Sequence, residues 1–183
     1  MNDGARAPSP ALRSLLEALG LKDLAREGWV RRGVGAPESV AAHSWGVAWL
    51  VMALLPPELD RERALAYAVL HDLPEVRAGD IVPADGVSAE DKHARELAGL
   101  RGVLAGLPRG DELLRTWEAY EAQADPEARF VRQLDRLDMA LQAAIYATAH
   151  GLDPREFWDS AAAVIEAPEL VSILDALGVP GAD

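Results

Sequence analysis

Two segments, Val40 to Leu55 and Arg61 to Leu73, carry Ala, Leu and Val on nearly every side at helical spacing. A helix that is apolar all round has to be buried among other helices. The chain is therefore expected to fold around these two, and the polar residues inside them, His43, His71 and Asp72, need partners. An unpartnered buried polar group costs about 1–3 kcal/mol.

The remaining chain repeats the helical pattern. Ser9-Pro10 reads as an N-cap followed by proline at the first helical position, and Leu12, Leu15, Leu16 and Leu19 then mark a helix from Pro10 to Leu19 that Gly20 stops. Leu21 to Ser39 contains Gly28, Gly33, Gly35 and Pro37, so a loop is expected, with a short turn at Leu21 to Arg26. Ordered loops of that length tend to be functional. Pro56-Pro57 ends the first buried helix, and Gly79 to Val87 reads as a second loop. Further helices are expected at Ala89 to Leu104, Asp111 to Gln123, Pro126 to His150, Pro154 to Ile165 and Pro168 to Leu177. No segment alternates like a strand, and no repeat, low-complexity tract or linker divides the chain. These patterns predict an all-α fold in one domain spanning residues 1–183.

Composition narrows the chemistry. The 183 residues include no cysteine, so any metal must be held by nitrogen and oxygen ligands. A net charge of −12 argues against binding a nucleic acid polymer, which needs a basic face. The start, MNDGARAPSP, does not read as a secretory signal, and the longest apolar stretch, Val47 to Pro57, is too short to span a bilayer. A soluble cytoplasmic protein without membrane attachment is expected. For a small anion, the stretch Arg26 to Arg32 and a bound cation are the expected attractors.

Three sites suggest metal chemistry: Ala42-His43-Ser44, Leu70-His71-Asp72 and Leu134-Asp135-Arg136. Imidazole and carboxylate ligands suit divalent first-row metals, and two of each leave positions open for water and substrate. Adjacent helical residues diverge by about 100°, so His71 and Asp72 can share an ion only if it lies beside the helix end. Glu75 and Asp80 in LPEVRAGDI add two carboxylates, one of which could handle protons. Asp138 lies one turn from Asp135, and spacing does not choose between them. Each piece alone has a plainer reading: a lone core histidine, a chance dipeptide, or an aspartate paired with Arg132 or Arg136.

The order of the pieces resembles the HD-domain superfamily of metal-dependent phosphohydrolases, and more closely its 5'-deoxynucleotidase branch. The resemblance rests on LKDLAREGWVRRGV (21–34), PESVAAHS (37–44), LHDLPEVRAGDIVP (70–83), VSAEDKHARE (87–96), WEAYE (117–121) and FVRQLDRLDMALQAAIY (130–146). It implies an HD-type helical bundle with His43, His71, Asp72 and Asp135 holding one divalent ion (Mn, Co, Ni, Fe or Zn) between core helices. It also implies Glu75 as the catalytic carboxylate, Asp80 as a catalytic or nucleoside-contacting residue, and a homodimer. An Arg-Trp pair that checks the sugar in bacterial members would here be Arg26 and Trp29. The acid common before the first histidine is Ala42, and the Glu usual before the late tyrosine is Ile145.

The activity so implied is metal-dependent hydrolysis of 5'-(deoxy)nucleoside monophosphates, the ion polarising phosphate oxygens and activating a water while Glu75 moves the proton. Another nucleotide substrate (cyclic nucleotide, triphosphate or alarmone) and a non-catalytic nucleotide- or metal-binding module are the alternatives. Arg26, Arg31, Arg32 and Lys92 are candidate phosphate contacts, although Arg31, Arg32 and Lys92 would serve equally as solvated charges. Trp29 could stack on a base or pin its loop. Trp45 and Trp49, four apart on a buried helix, are expected in the core, as are Trp117 and Tyr120, with His93 and His150 on the surface.

Overall fold

In the computed structural model, which describes residues 7–178, ten α-helices are present: α1 (Pro10–Ala18), α2 (Glu27–Val30), α3 (Val40–Leu54), α4 (Arg61–Leu70), α5 (Glu75–Ala78), α6 (Ala89–Leu104), α7 (Gly110–Glu121), α8 (Pro126–His150), α9 (Arg155–Ala162) and α10 (Pro168–Leu177). Five begin on a side chain that accepts from the first turn, namely Ser9, Ser39, Asp60, Ser88 and Asp125. Such caps satisfy backbone N–H groups that the helix cannot. Among the described residues the nearest thing to a sheet is an isolated bridge between Ala25 and Ser39.

Helices α3, α4 and α8 form the centre, closed by α10 through Leu170 and Leu174; Val47, Val51, Ala64, Leu134 and Leu137 are shut off from solvent. A second cluster joins Val40 and Leu70 to Leu100, Leu104 and Trp117. The third packs Trp29 and Val34 against Ala143, Tyr146 and Phe157 on α8 and α9.

Two expectations need correction. The stretch 21–39 is not one loop: a 3₁₀ turn (Leu19–Lys22) runs into its start, α2 lies within it, and backbone bonds from Arg26 N–H to Glu38 O (3.0 Å) and Val40 N–H to Leu24 O (2.8 Å) tie its two ends together. Trp45 and Trp49 are not core residues but 71% and 57% exposed. Helix α3 is apolar all round, yet α4 and α8 cover only part of its circumference. The uncovered side carries both tryptophans and Met52, and beside it Leu15, Leu19, Leu21 and Val69 line a groove of about 620 Å³. Among the described residues no helix is long and apolar enough to cross a membrane.

Candidate metal centre

Helix α4 ends at Leu70, which leaves His71 at its C-cap and Asp72 in the turn leading through Pro74 into α5. The turn lets adjacent residues face one point that continued helix would forbid. His43 meets them from the end of the first turn of α3, and Asp135 from the middle of α8. His43 is fully buried and His71 nearly so.

The imidazole orientations carry the most information. His71 Nδ1 lies 2.9 Å from the Ala68 carbonyl, which can only accept, so this nitrogen bears the hydrogen and Nε2 is left with a lone pair. His43 Nδ1 donates in the same way to Asp138 Oδ2 at 2.7 Å. The two Nε2 atoms then face each other at 3.3 Å, with Asp72 Oδ2 at 3.2 Å from the His71 nitrogen and 3.7 Å from that of His43. Asp135 Oδ1 stands 3.1 Å from His43 Nε2. Two lone pairs and two carboxylate oxygens directed at one small volume repel one another unless a cation or a proton lies between them. Nitrogen and oxygen donors at this spacing fit a first-row divalent ion: His43, His71 and Asp72 offer ligand atoms all within 4.8 Å of one another and could hold one, and Asp135 reaches the group through His43. Glu38, His43 and Asp138 also lie close together, but Glu38 already accepts from Trp29 Nε1 (2.9 Å) and His43 turns its protonated nitrogen that way.

The charges are strongly coupled. Burial and the nearby Arg26 disfavour a charged His43, yet Asp135 and Asp138 push its pKa up to about 10 when no cation is present. Burial likewise opposes the charge on Asp72 and Asp135. It is outweighed by His71 and Arg26 at the first, and by His43 and Arg136 at the second, which keep both well below the usual carboxylate range.

Glu75, the first residue of α5, is buried, and its Oε2 has no hydrogen-bond partner among the described residues. Burial, and then the carboxylates of Asp72 and Asp80, raise its pKa well above the ordinary value. A buried carboxyl group so raised is a candidate to take and return a proton in a reaction. Arg26, at the N-cap of α2, reaches all three acids: its Nη1 is 3.1 Å from Asp72, 3.5 Å from Asp80 and 3.8 Å from Glu75. Asp80 also accepts the backbone N–H of Glu27 at 2.7 Å, which fixes the start of α2 and with it Arg26.

Other sequence candidates are placed differently. Trp29 is 2% exposed, edge-on to Tyr146 and beside Phe157, so of its two readings the packed one describes it. Arg31 pairs with Glu27 and Asp85, and Arg32 with Glu156 while lying over the Phe157 ring; neither contacts the histidines or Asp72. Lys92, by contrast, lies within electrostatic reach of the centre: partial burial works against its charge, but Glu96, at 3.5 Å, and then Glu75 and Asp72 hold it protonated.

Three residues named in the sequence have roles at the centre that the sequence did not assign them. Trp117 donates from its indole to the His71 carbonyl at 3.1 Å, and Tyr120 stands edge-on to His71 with its hydroxyl kept protonated by burial and then by Asp135 and Asp72. Asp138 takes the outer nitrogen of His43. For this the available signal was Gly46, a glycine in mid-helix one turn after His43. Ala42 and Ile145 are both exposed, so neither departure from the family pattern touches the centre.

Comparison with known proteins matches residues 19–173 to the HD domain family. The chain is 39% identical to the 5'-deoxynucleotidase HDDC2 of Homo sapiens, over 90% of this chain and 85% of that protein. It is 36% identical to the protein of the same name from Xenopus laevis, over 92% and 88%. Among solved structures, the PH0347 protein from Pyrococcus horikoshii OT3 superposes with a TM-score of 0.78 at 32% identity, covering 91% of this chain and 98% of that one.

Proposed function

The chain belongs to the HD domain family, and from that premise we propose that it is a metal-dependent phosphomonoesterase that hydrolyses 5'-deoxynucleoside monophosphates to nucleoside and phosphate. The name shared by its curated relatives, 5'-deoxynucleotidase, supports the substrate. The observation that carries the chemistry is the convergence of His43 Nε2, His71 Nε2 and Asp72 Oδ2 beside a buried carboxyl group with an unpartnered oxygen, Glu75.

In this reading His43, His71, Asp72 and Asp135 hold one divalent ion, which supplies Lewis acidity toward phosphate oxygens and water when bound. Glu75 takes the proton from the attacking water and returns it to the departing nucleoside oxygen. Arg26 and Lys92 neutralise charge on the phosphoryl group, and they give an otherwise acidic protein a local site for an anion. Phosphoryl transfer depends mainly on positioning and charge stabilisation, which is what fixed groups of this kind provide. Asp80 positions Arg26 and is not itself a reacting group. Trp29 packs on Tyr146 and Phe157, Arg31 pairs with Glu27 and Asp85, and Arg32 pairs with Glu156, so none of the three serves as a substrate contact in this reading.

We also propose that the chain is a homodimer, paired through the uncovered side of α3. A protruding Trp45 and Trp49 next to an apolar groove form a surface that a two-fold related copy can fill from both sides. Phosphate release from dAMP or dTMP in the presence of manganese or cobalt, absent from triphosphates and cyclic diesters, tests the activity. Release from cyclic substrates alone would point instead to another HD chemistry.

A further inference from the structure

Helix α8 presents two carboxylates one turn apart to the two nitrogens of a single imidazole. Asp135 Oδ1 lies 3.1 Å from His43 Nε2, and Asp138 Oδ2 lies 2.7 Å from His43 Nδ1. Only one of them can share an ion with His71, because the Nδ1 side of the ring turns away from the His71 nitrogen. The second carboxylate reaches the ring through a gap in the neighbouring helix. Gly46 is buried in the body of α3, on the same face as His43 and one turn along. A Cβ built there would overlap Asp138 Oδ1 and sit 2.9 Å from its Cγ, closer than real Cβ contacts come. Glycine within a helix costs roughly 0.5–1 kcal/mol relative to alanine. Here that loss opens the space the carboxylate occupies.

We infer that Asp138 is the positioning residue for His43, locking its ring with Nε2 toward the metal centre, and that Gly46 is required to admit it. The inference rests on the metal-centre reading above. A carboxylate accepting from the outer nitrogen of a histidine ligand fixes its orientation and makes it a better donor, and losing it commonly weakens metal binding by about 10- to 100-fold. Asp138 thus acts through His43 and touches neither ion nor substrate.

The test is a set of manganese and cobalt affinities by calorimetry on wild type, Asp138→Ala, Asp138→Asn, Gly46→Ala and the Gly46→Ala/Asp138→Ala pair, with circular dichroism and melting in EDTA to verify the fold. Asp138→Ala is expected to weaken binding by about 10- to 100-fold. Asp138→Asn, which still accepts from Nδ1, should recover part of the loss. Gly46→Ala should weaken binding alone but add nothing on top of Asp138→Ala, since its only clash has gone. A folded Asp138→Ala protein with wild-type affinity, or additive losses in the pair, overturns the inference while leaving the metal centre standing. Wild-type protein that takes up no metal overturns both.

Discussion

Arg26 Nη1 lies 3.8 Å from Glu75 Oε2, too far for a hydrogen bond and close enough for charge to matter. A buried carboxyl oxygen with a cation alongside and no donor of its own is poised to exchange a proton rather than to anchor structure. Glu75→Gln keeps the volume and removes the base. It is expected to bind one metal per chain as wild type does while kcat falls by about 10²- to 10⁴-fold. Metal content by mass spectrometry and steady-state phosphate release check both halves; retained turnover would remove Glu75 from the mechanism.

Asp80 is tied to the Glu27 N–H at 2.7 Å and reaches Arg26 at 3.5 Å. Removing it should free the start of α2 and let Arg26 wander. Asp80→Ala is expected to raise KM several-fold with metal affinity unchanged, and to speed hydrogen exchange at the Glu27 amide, since about 1 kcal/mol of capping is lost. Asp80→Asn, which keeps an acceptor, should lie between. Equal exchange in wild type and Asp80→Ala would contradict the positioning role.

Stability should depend on a residue far from the centre. Asp125 caps α8 through the Ala128 N–H (2.8 Å) and accepts the Tyr67 hydroxyl (2.6 Å) and Arg63 (3.2 Å). Partial burial opposes its charge, but these bonds hold its pKa below the ordinary 3.8. A lowered folded-state pKa means that the stabilisation is complete above 3.8 and disappears as pH falls through the folded value. Asp125→Ala is therefore expected to lose about 2–3 kcal/mol at pH 7, from the cap and from the stranded Tyr67 hydroxyl. Urea melts should show that gap closing as the pH is lowered from 5 toward 2, and a gap independent of pH would rule out the ionised carboxylate as its source.

The tryptophans on α3 bear on assembly. Placing a charge in the middle of an apolar interface leaves it buried and unpaired, which pairing cannot tolerate. Trp45→Glu is expected to give a monomer by size-exclusion chromatography with light scattering, with wild-type melting behaviour in the helical core. If Trp45→Glu stays dimeric, the interface lies elsewhere.

How much of this was legible in the sequence varies with the kind of contact. Caps at Ser9, Ser39, Ser88 and Asp125 are local, and so the helices they start were readable to within a few residues. His71 and Asp72 were visible as a pair, but their shared direction depends on α4 stopping at Leu70, which periodicity does not announce. Asp135 and Asp138 lie on one helical face, and only the orientation of the His43 ring, set between α3 and α8, gives them different surroundings. Trp45 and Trp49 were misplaced because a helix apolar all round says that burial is needed without saying which face the chain itself supplies. Trp29 went the other way: its glycine-flanked setting suggested an open loop, while Tyr146 and Phe157, more than a hundred residues later, enclose it.

The central claim is that His43, His71, Asp72 and Asp135 hold a metal that the reaction needs. The most direct measurement is metal content and phosphate release from dAMP and dTMP by the same preparations of wild type and His71→Ala, each stripped with chelator and then supplied with manganese or cobalt. The account predicts about one ion per wild-type chain, activity that vanishes on stripping and returns with metal, and neither ion nor activity in His71→Ala. Stripped wild-type protein that still releases phosphate, or a His71→Ala protein that does so at the wild-type rate, would contradict it.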